Sequence, residues 1–344
     1  MTTSLTTHLP NTVAPYLLRR GEGKRYLFGK QLATVIANFQ STGDILSAAI
    51  LSGPKGESFP LHMHQNTYES IFVLEGKIQF VINGESHLLL PGDYAHIPPM
   101  TEHAYQLLAH RNAFISYSIA GNVTDIYEIL GQAHTPYEYP AVSNHVYSTD
   151  HLQQAAQQAD IIFSTSQTVF SDYTLVSNSV IPESVAAYVL ESGEGTKLLT
   201  GDQLHRLLAT QASTDGDYIM VSTEGPKGDA IVSHYHEHHT ETFFCVQGQM
   251  TMWANGEEVQ LLPGDFLHVP AGTVHSYRLD THYTKFVGVL VSGLFEPFFR
   301  LLGDEYEHYI FPDTPGPLRM DRVIANIQTL DLKVVTPPGG HRPE

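Results

Sequence analysis

The chain has 344 residues, and because single hydrophobic cores stop growing near ~250–300 residues, two domains are expected. Only 16% of residues are charged while 42% are hydrophobic, enough to bury large cores. Acidic residues outnumber basic ones 36 to 18, a formal net charge of −18; this argues against nucleic acid or an anionic membrane as partner, since both need a positive field.

From the amino end, residues 1–11 (MTTSLTTHLPN) have no basic start and no apolar stretch, so no secretory signal is expected. No apolar run anywhere approaches the ~18 residues of a membrane span. The segment from Tyr16 to Gly23 (YLLRRGEG) returns as Tyr188 to Gly195 (YVLESGEG), 172 residues later. The same offset relates Gly29-Lys-Gln-Leu to Gly201-Asp-Gln-Leu, Gly53-Pro-Lys-Gly to Gly225-Pro-Lys-Gly, and Pro91-Gly-Asp to Pro263-Gly-Asp. Around Gly43 and Gly216 the register slips by one and then recovers. A whole domain is duplicated, which is a larger unit than a solenoid repeat.

Each copy reads as β-rich, with short runs of Val, Ile, Phe, Tyr and Leu separated by turn residues. Glu69–Leu74 and Lys77–Ile82 are expected strands, followed by the two-residue turn Asn83-Gly84. Asn122–Leu130 reads as a short helix. Asp150–Ile161 reads as a helix capped by Thr149 or Asp150 and bridging the copies. In the second copy the hairpin from Glu241 to Asn255-Gly256 repeats the first. Lone Cys245 excludes an intrachain disulfide and reads as a small buried residue, so a reducing cytoplasm is the expected compartment. Leu294–Leu302 and Asp321–Leu330 complete the helices. The expected fold is all-β: two tandem jelly-roll barrels with a few short helices, bounded as 1–148, a helical linker 149–172, and 173–344.

The chain holds 20 histidines, and their spacing carries the chemistry. Gly56 is followed by His62, His64, Glu69 and Gly76; Gly92 is followed by Pro98 and His103. Gly228, His234, His236, Glu241, Gly248, Gly264, Pro270 and His275 repeat each element 172 residues on. Residues i and i+2 of a strand share a face, so His62 and His64 point together into the barrel. Glu69 arrives on a neighbouring strand and His103 on a third. Three imidazoles and a carboxylate suit a divalent first-row metal (Mn, Fe, Co, Ni or Cu) better than Ca or Mg. One HxH pair would mean little, but the duplicated set predicts up to two metals per chain, catalytic or structural.

Several neighbours read otherwise. His96 and His268 have the opposite parity and should pack outside. His238 and His239 fall in the turn before Glu241 and should be exposed. Tyr105 and Tyr277 share the ligands' parity and either line a cavity or simply pack. Lys77 is the sole basic residue between His62 and His103, and Arg278 should point away from His275. A cavity so poor in cations suits a flat aromatic ligand better than a small dicarboxylate.

These segments resemble the two cupin motifs, G-x5-H-x-H-x4-E-x6-G and G-x5-P-x-G-x2-H. Beyond the motifs, YLLRRGEGKRYLFG at 16–29, GDQLHR at 201–206, HYHEHHTETFFCVQGQMTMW at 234–253, HSYRLD at 275–280 and GLFEPFF at 293–299 resemble the bacterial quercetin 2,3-dioxygenases. The resemblance implies a bicupin that opens the flavonol heterocycle with dioxygen, releasing carbon monoxide and a depside. It implies His62, His64, Glu69 and His103, with His234, His236, Glu241 and His275, as metal ligands, and Glu69 and Glu241 as catalytic carboxylates. Flavonol and dioxygen are the expected partners, with a homodimer left open. A bicupin decarboxylase or oxidase of a small dicarboxylate and a non-catalytic metal-binding bicupin are the alternatives. Met100 stands where the second motif has Gly, whereas Gly272 keeps it, so a reshaped loop is expected beside the first site. Leu107 and Leu279 replace the motif's closing Asn.

Overall fold

The computed structural model describes residues 4–143, 145–166, 170 and 172–335; the first three residues of the amino-terminal segment lie outside these. Among these described residues the alternating apolar runs form four sheets, two for each barrel. In the first barrel, an eight-stranded sheet includes Gln31–Ala37, Leu46–Gly53, Asn112–Ile119, Tyr68–Glu75 and Tyr94–Ile97. It faces a six-stranded sheet built around Ser58–Met63, His103–Leu107 and Ile78–Ile82. The second barrel repeats the plan with Gln203–Ala209, Tyr218–Gly225, Thr284–Val291, Thr240–Gln247 and Phe266–Val269 facing a five-stranded sheet. The two-residue turns form as expected: Asn83 and Gly84 both have positive φ, as do Asn255 and Gly256, the backbone that matches strand twist.

The barrels exchange a strand. Tyr16–Leu18, from the first copy, pairs antiparallel with Phe266–Val269 of the second barrel. Tyr188–Leu190, from the second copy, pairs in the same way with Tyr94–Ile97 of the first. Each large sheet therefore takes in a strand from beyond the 1–148 and 173–344 bounds. Between the two large sheets lies a core drawn from both copies, including Tyr16, Phe72, Tyr117, Tyr188, Tyr218 and Phe266. His96 belongs there: it points out of its barrel, is 0% exposed, and bonds Tyr218 Oη at 2.9 Å and the Ser213 carbonyl at 3.1 Å. His268 likewise donates to Ala14 O at 3.1 Å. Their outward parity is as read from the sequence.

The helix expected over 150–161 runs from Thr149 to Gln158, and its cap is Ser148 rather than Thr149 or Asp150. Ser148 keeps an extended backbone, so its hydroxyl can accept from the His151 amide while the His151 ring Nδ1 accepts from the Ser148 amide. Nor does the helix bridge the barrels. Ala155 and Ile161 bury in the first barrel's core, and Ile162–Phe163 adds to its smaller sheet. Among the described residues, the other helices are the single turns Phe39–Thr42 and Gln211–Thr214, then Asp125–Leu130, Glu296–Leu302 after a short 3-10 turn, and Met320–Asn326. Cys245 is buried, and burial pushes its thiol up to about 12, so it packs rather than reacts. Among the described residues, no helix is long and apolar enough to cross a membrane.

Strand exchange and a shared core should make the barrels unfold together. Calorimetry of the metal-free chain is expected to give one transition. Leu190→Ala, at a fully buried place on the exchanged strand, should lower that whole transition by roughly 2–5 kcal/mol. Two resolved transitions would show independent barrels.

Candidate metal centres

Strand pleating brings the first set together from both sheets of the barrel. His62 and His103 are paired residues on adjacent strands of the smaller sheet. His64 follows the first of these strands, and Glu69 faces them from the large sheet. Their ring centroids lie 4.0 Å apart for His62 and His103, and 5.1 Å for His62 and His64. One donor atom from each of His62, His64, Glu69 and His103 lies within 4.8 Å of all the others, and all four residues are buried.

Hydrogen bonds fix which nitrogen faces inward. Nδ1–H of His62 donates to Pro60 O at 2.8 Å, that of His103 to Thr101 O at 2.9 Å, and that of His64 to Asp160 O. A carbonyl can only accept, so each Nε2 is left with its lone pair turned into the barrel. Yet His103 Nε2 lies 2.9 Å from Glu69 Oε2, and His64 Nε2 lies 3.5 Å from the same oxygen. Neutral rings with their lone pairs facing a carboxylate at that range are what a shared cation would draw together. Two donors at right angles on a metal with bonds of about 2.1 Å lie about 3 Å apart, which matches. His64 Nε2 is also buried without a hydrogen-bond partner. The donors present fit a divalent transition metal.

The electrostatics agree. Burial, then the neighbouring His103 and His64, hold His62 well below the usual imidazole pKa. Burial would raise Glu69, but contacts with His103 and His64 bring it well below the carboxylate range. Burial would likewise lower His64, yet Glu69 raises it, a demand for positive charge at this place. A neutral imidazole and an ionised carboxylate are the forms a metal takes.

The second barrel rebuilds the arrangement. His234 and His275 pair across adjacent strands, and their Nδ1–H groups donate to Val232 O at 2.8 Å and Thr273 O at 3.0 Å. His236 donates to Asp331 O at 2.5 Å. Donor atoms of His234, His236 and His275 gather within 4.8 Å. Glu241 joins them through His275 Nε2 at 3.0 Å and His236 Nε2 at 3.4 Å. Burial lowers His234 to about 3 and His236 to about 4.

Three sequence expectations need correction or addition. His239 is not exposed in the turn: it is 1% exposed, stacks on His236 with centroids 3.8 Å apart, and donates Nδ1–H to Asp331 Oδ2 at 2.8 Å. His238 does sit on the exposed turn. Met100 does not reshape its loop. It adopts φ +61° where Gly272 has +82°, and both amides donate to the carbonyl of the second ligand histidine, His64 or His236, at 2.7 Å. The Met side chain points to solvent, and the left-handed backbone costs about 1–2 kcal/mol. Asp160 and Asp331 were overlooked: each caps the turn after its HxH pair, at the Gln65 and Asn66 amides in one barrel and the Glu237 and His238 amides in the other. The pair was readable as Asp160-Ile-Ile and Asp331-Leu-Lys, but at offset 171 instead of 172.

Ser116 was also missed; its hydroxyl donates to Glu69 Oε1 at 2.8 Å. Tyr105 lines the first cavity and also packs, its hydroxyl donating to Gln31 Oε1 at 2.9 Å. Phe59, Phe80 and Phe114 share the lining, and no Lys or Arg does. The cavity measures about 20 Å³, room for one water. Lys77 is exposed, and Arg278 turns outward to Asp280 Oδ1 at 2.7 Å, as expected. A larger open groove of about 570 Å³ lies outside the barrel between Lys24, Asp125 and Gln154. It contains none of the converging buried donors, so the chemistry belongs to the smaller space.

The cupin domain family matches residues 50–114 and 220–287, the two motif-bearing stretches. The quercetin 2,3-dioxygenase of Bacillus subtilis (strain 168) is 55% identical over 337 residues, covering 98% of this chain and all of that one. The structure of a salicylate 1,2-dioxygenase from Pseudaminobacter salicylatoxidans superposes with a TM-score of 0.57 over 96% of this chain and 90% of that one, at 12% identity. An oxalate decarboxylase of Bacillus subtilis superposes at 0.51 over 85% and 80%, at 15% identity. The structural likenesses establish the two-barrel fold but do not choose between chemistries. Identity along the full length does: the chain belongs to the quercetin 2,3-dioxygenase family, with two cupin barrels in one polypeptide.

Proposed function

We propose that the chain uses dioxygen to open the heterocyclic ring of a flavonol such as quercetin, yielding a depside and carbon monoxide, and that the first barrel does most of the work. Full-length identity to the Bacillus subtilis quercetin 2,3-dioxygenase carries the reading. The cation-free aromatic cavity around Glu69 supports it. A small dicarboxylate would need an inward Arg or Lys, and the cavity lining has none.

His62, His64, Glu69 and His103 would hold a divalent metal that supplies Lewis acidity and a template for the substrate anion. Glu69 accepts the proton of the flavonol 3-hydroxyl. Its two oxygens divide the work: Oε2 faces the ligand histidines, while Oε1 is held by the Ser116 hydroxyl. Phe59 and Tyr105 stack with centroids 6.0 Å apart and 13° between planes, a flat wall suited to an aromatic ring. Ligand pockets usually measure about 300–1,000 Å³, so substrate must displace part of the lining. Val123, Ile126 and Tyr127, at and near the helix Asp125–Leu130, form the side of the cavity that can yield without breaking a sheet.

Three outcomes test this. Elemental analysis after reconstitution with Mn, Fe, Co or Ni should approach two equivalents per chain; none would remove both centres. Quercetin consumption should require dioxygen and release equimolar carbon monoxide, whereas flavonol loss under argon would rule the reaction out. Glutamine can coordinate weakly but cannot act as the base, so Glu69→Gln should retain some metal and lose about 10²–10⁴-fold in kcat. Glu241→Gln should cost less, and a larger loss there would move the main chemistry to the second barrel.

A further inference from the structure

The two glutamates are held differently. Ser116 lines the first cavity beside Glu69 and is buried. Its hydroxyl donates to Glu69 Oε1 at 2.8 Å, while Oε2 faces His103 Nε2 at 2.9 Å and His64 Nε2 at 3.5 Å. We propose that Ser116 is a positioning residue: it keeps Glu69 Oε1 apart from the ligand histidines as the oxygen that takes the substrate proton, and its absence from the second barrel leaves Glu241 a ligand without such an oxygen. The inference rests on the reading of Glu69 as base for the flavonol 3-hydroxyl, and names what equips it for that work.

Strand pairing makes the contact. Glu69 lies opposite Ser118 and Ile71 opposite Ser116, so Ser116 and Glu69 are diagonal neighbours on one face, within reach of a long side chain. A carboxylate that accepts a proton needs a neighbour suited to both of its forms. A hydroxyl has one donor and two lone pairs and can rotate. It donates to Oε1 while the carboxylate is ionised, and accepts from Oε1 once that oxygen carries the proton. The transfer breaks the 3-hydroxyl O–H bond, leaves its electron pair on the flavonol oxygen and forms an O–H bond at Oε1. Oε2 stays with the histidines throughout.

The second barrel has Gly288 at the place of Ser116. The strands are drawn close there: Thr242 Oγ1 accepts from the Val289 amide at 3.0 Å and donates to the Val289 carbonyl at 3.2 Å. A Cβ on Gly288 would stand 2.4 Å from the Thr242 carbonyl oxygen, so this backbone leaves no room for a serine. Glu241 turns both oxygens to imidazole nitrogens instead. Oε1 lies 3.4 Å from His236 and 3.5 Å from His239, and Oε2 lies 3.0 Å from His275. Phe295, at the place of Val123, covers the histidines with its ring 4.5 Å from that of His236. Neither oxygen of Glu241 is set aside for a substrate.

The test uses the metal-loaded full chain with His234→Ala and His275→Ala, so that only the first centre is observed. Quercetin is mixed with it under argon, and loss of the 3-hydroxyl proton is read in a stopped flow as the red shift of the flavonolate. Adding Ser116→Ala should leave metal content and KM unchanged, while slowing flavonolate formation and lowering kcat roughly 10–100-fold. Ser116→Thr, which restores the hydroxyl, should recover most of both. Ser116→Ala as fast as its parent while Glu69→Gln is slow overturns this inference alone. So does a loss that follows metal content or that threonine does not relieve, since either gives Ser116 a structural role only. Flavonolate formed and turned over at full rate by metal-loaded Glu69→Gln overturns the base reading, and the inference with it.

Discussion

Six backbone-accepted hydrogen bonds govern the centres. Every histidine in the duplicated motif donates Nδ1–H to a carbonyl, from Pro60, Thr101, Asp160, Val232, Thr273 or Asp331. Four of these carbonyls belong to the residue two positions before the histidine. Strand pleating thus supplies both the inward direction and the tautomer from one local geometry. The other two come from distant segments, which lie against the first barrel's core in one case and beside the second barrel's smaller sheet in the other. The orientation of His64 and His236 is accordingly a tertiary property, and the helices before Asp160 and Asp331 have a role in the site without contributing a ligand.

The strand exchange gives the arrangement a firm base. The large sheets carry Glu69 and Glu241, and each borrows a strand from the other copy. Their outer faces bury against one another around Ser70, Tyr94, His96 and Tyr218, which are joined by hydrogen bonds of 2.7–2.9 Å. Ser70 is the residue after Glu69, pointing to the opposite face. The backbone that presents the carboxylate to one cavity is therefore anchored by polar contacts in the shared core, where a shift would leave buried groups unsatisfied.

The duplication, the β-rich fold, the hairpin turns and the converging set of His62, His64, Glu69 and His103 were legible because they depend on local periodicity and on spacing. The strand exchange was not. Tyr16–Leu18 reads the same whether it pairs with its own copy or with the other, since the choice is made by tertiary packing. Asp160 and Asp331 were hidden by a one-residue slip of the repeat. His239 was misread because its neighbours look like a polar turn, and nothing local reveals that Asp331 and Phe295 close over it. Met100 shows the converse: a sequence departure from Gly that leaves the loop's backbone unchanged.

What survived duplication and what changed point to different constraints. The candidate ligands match position for position, and their carbonyl partners do so except for the one-residue slip between Asp160 and Asp331, so the requirement to aim three lone pairs at one point has been kept in both barrels. The changes gather around the carboxylate: Thr67 against His239, Ser116 against Gly288, Val123 against Phe295. None of these alters the four repeated donors, but each alters what the second oxygen of the glutamate meets and how open the centre is. A general base needs that oxygen reachable by substrate, whereas a metal that holds a barrel together needs only its donors. By this reasoning the residues beside Glu69 and Glu241, rather than the ligands themselves, determine which barrel can work on a flavonol.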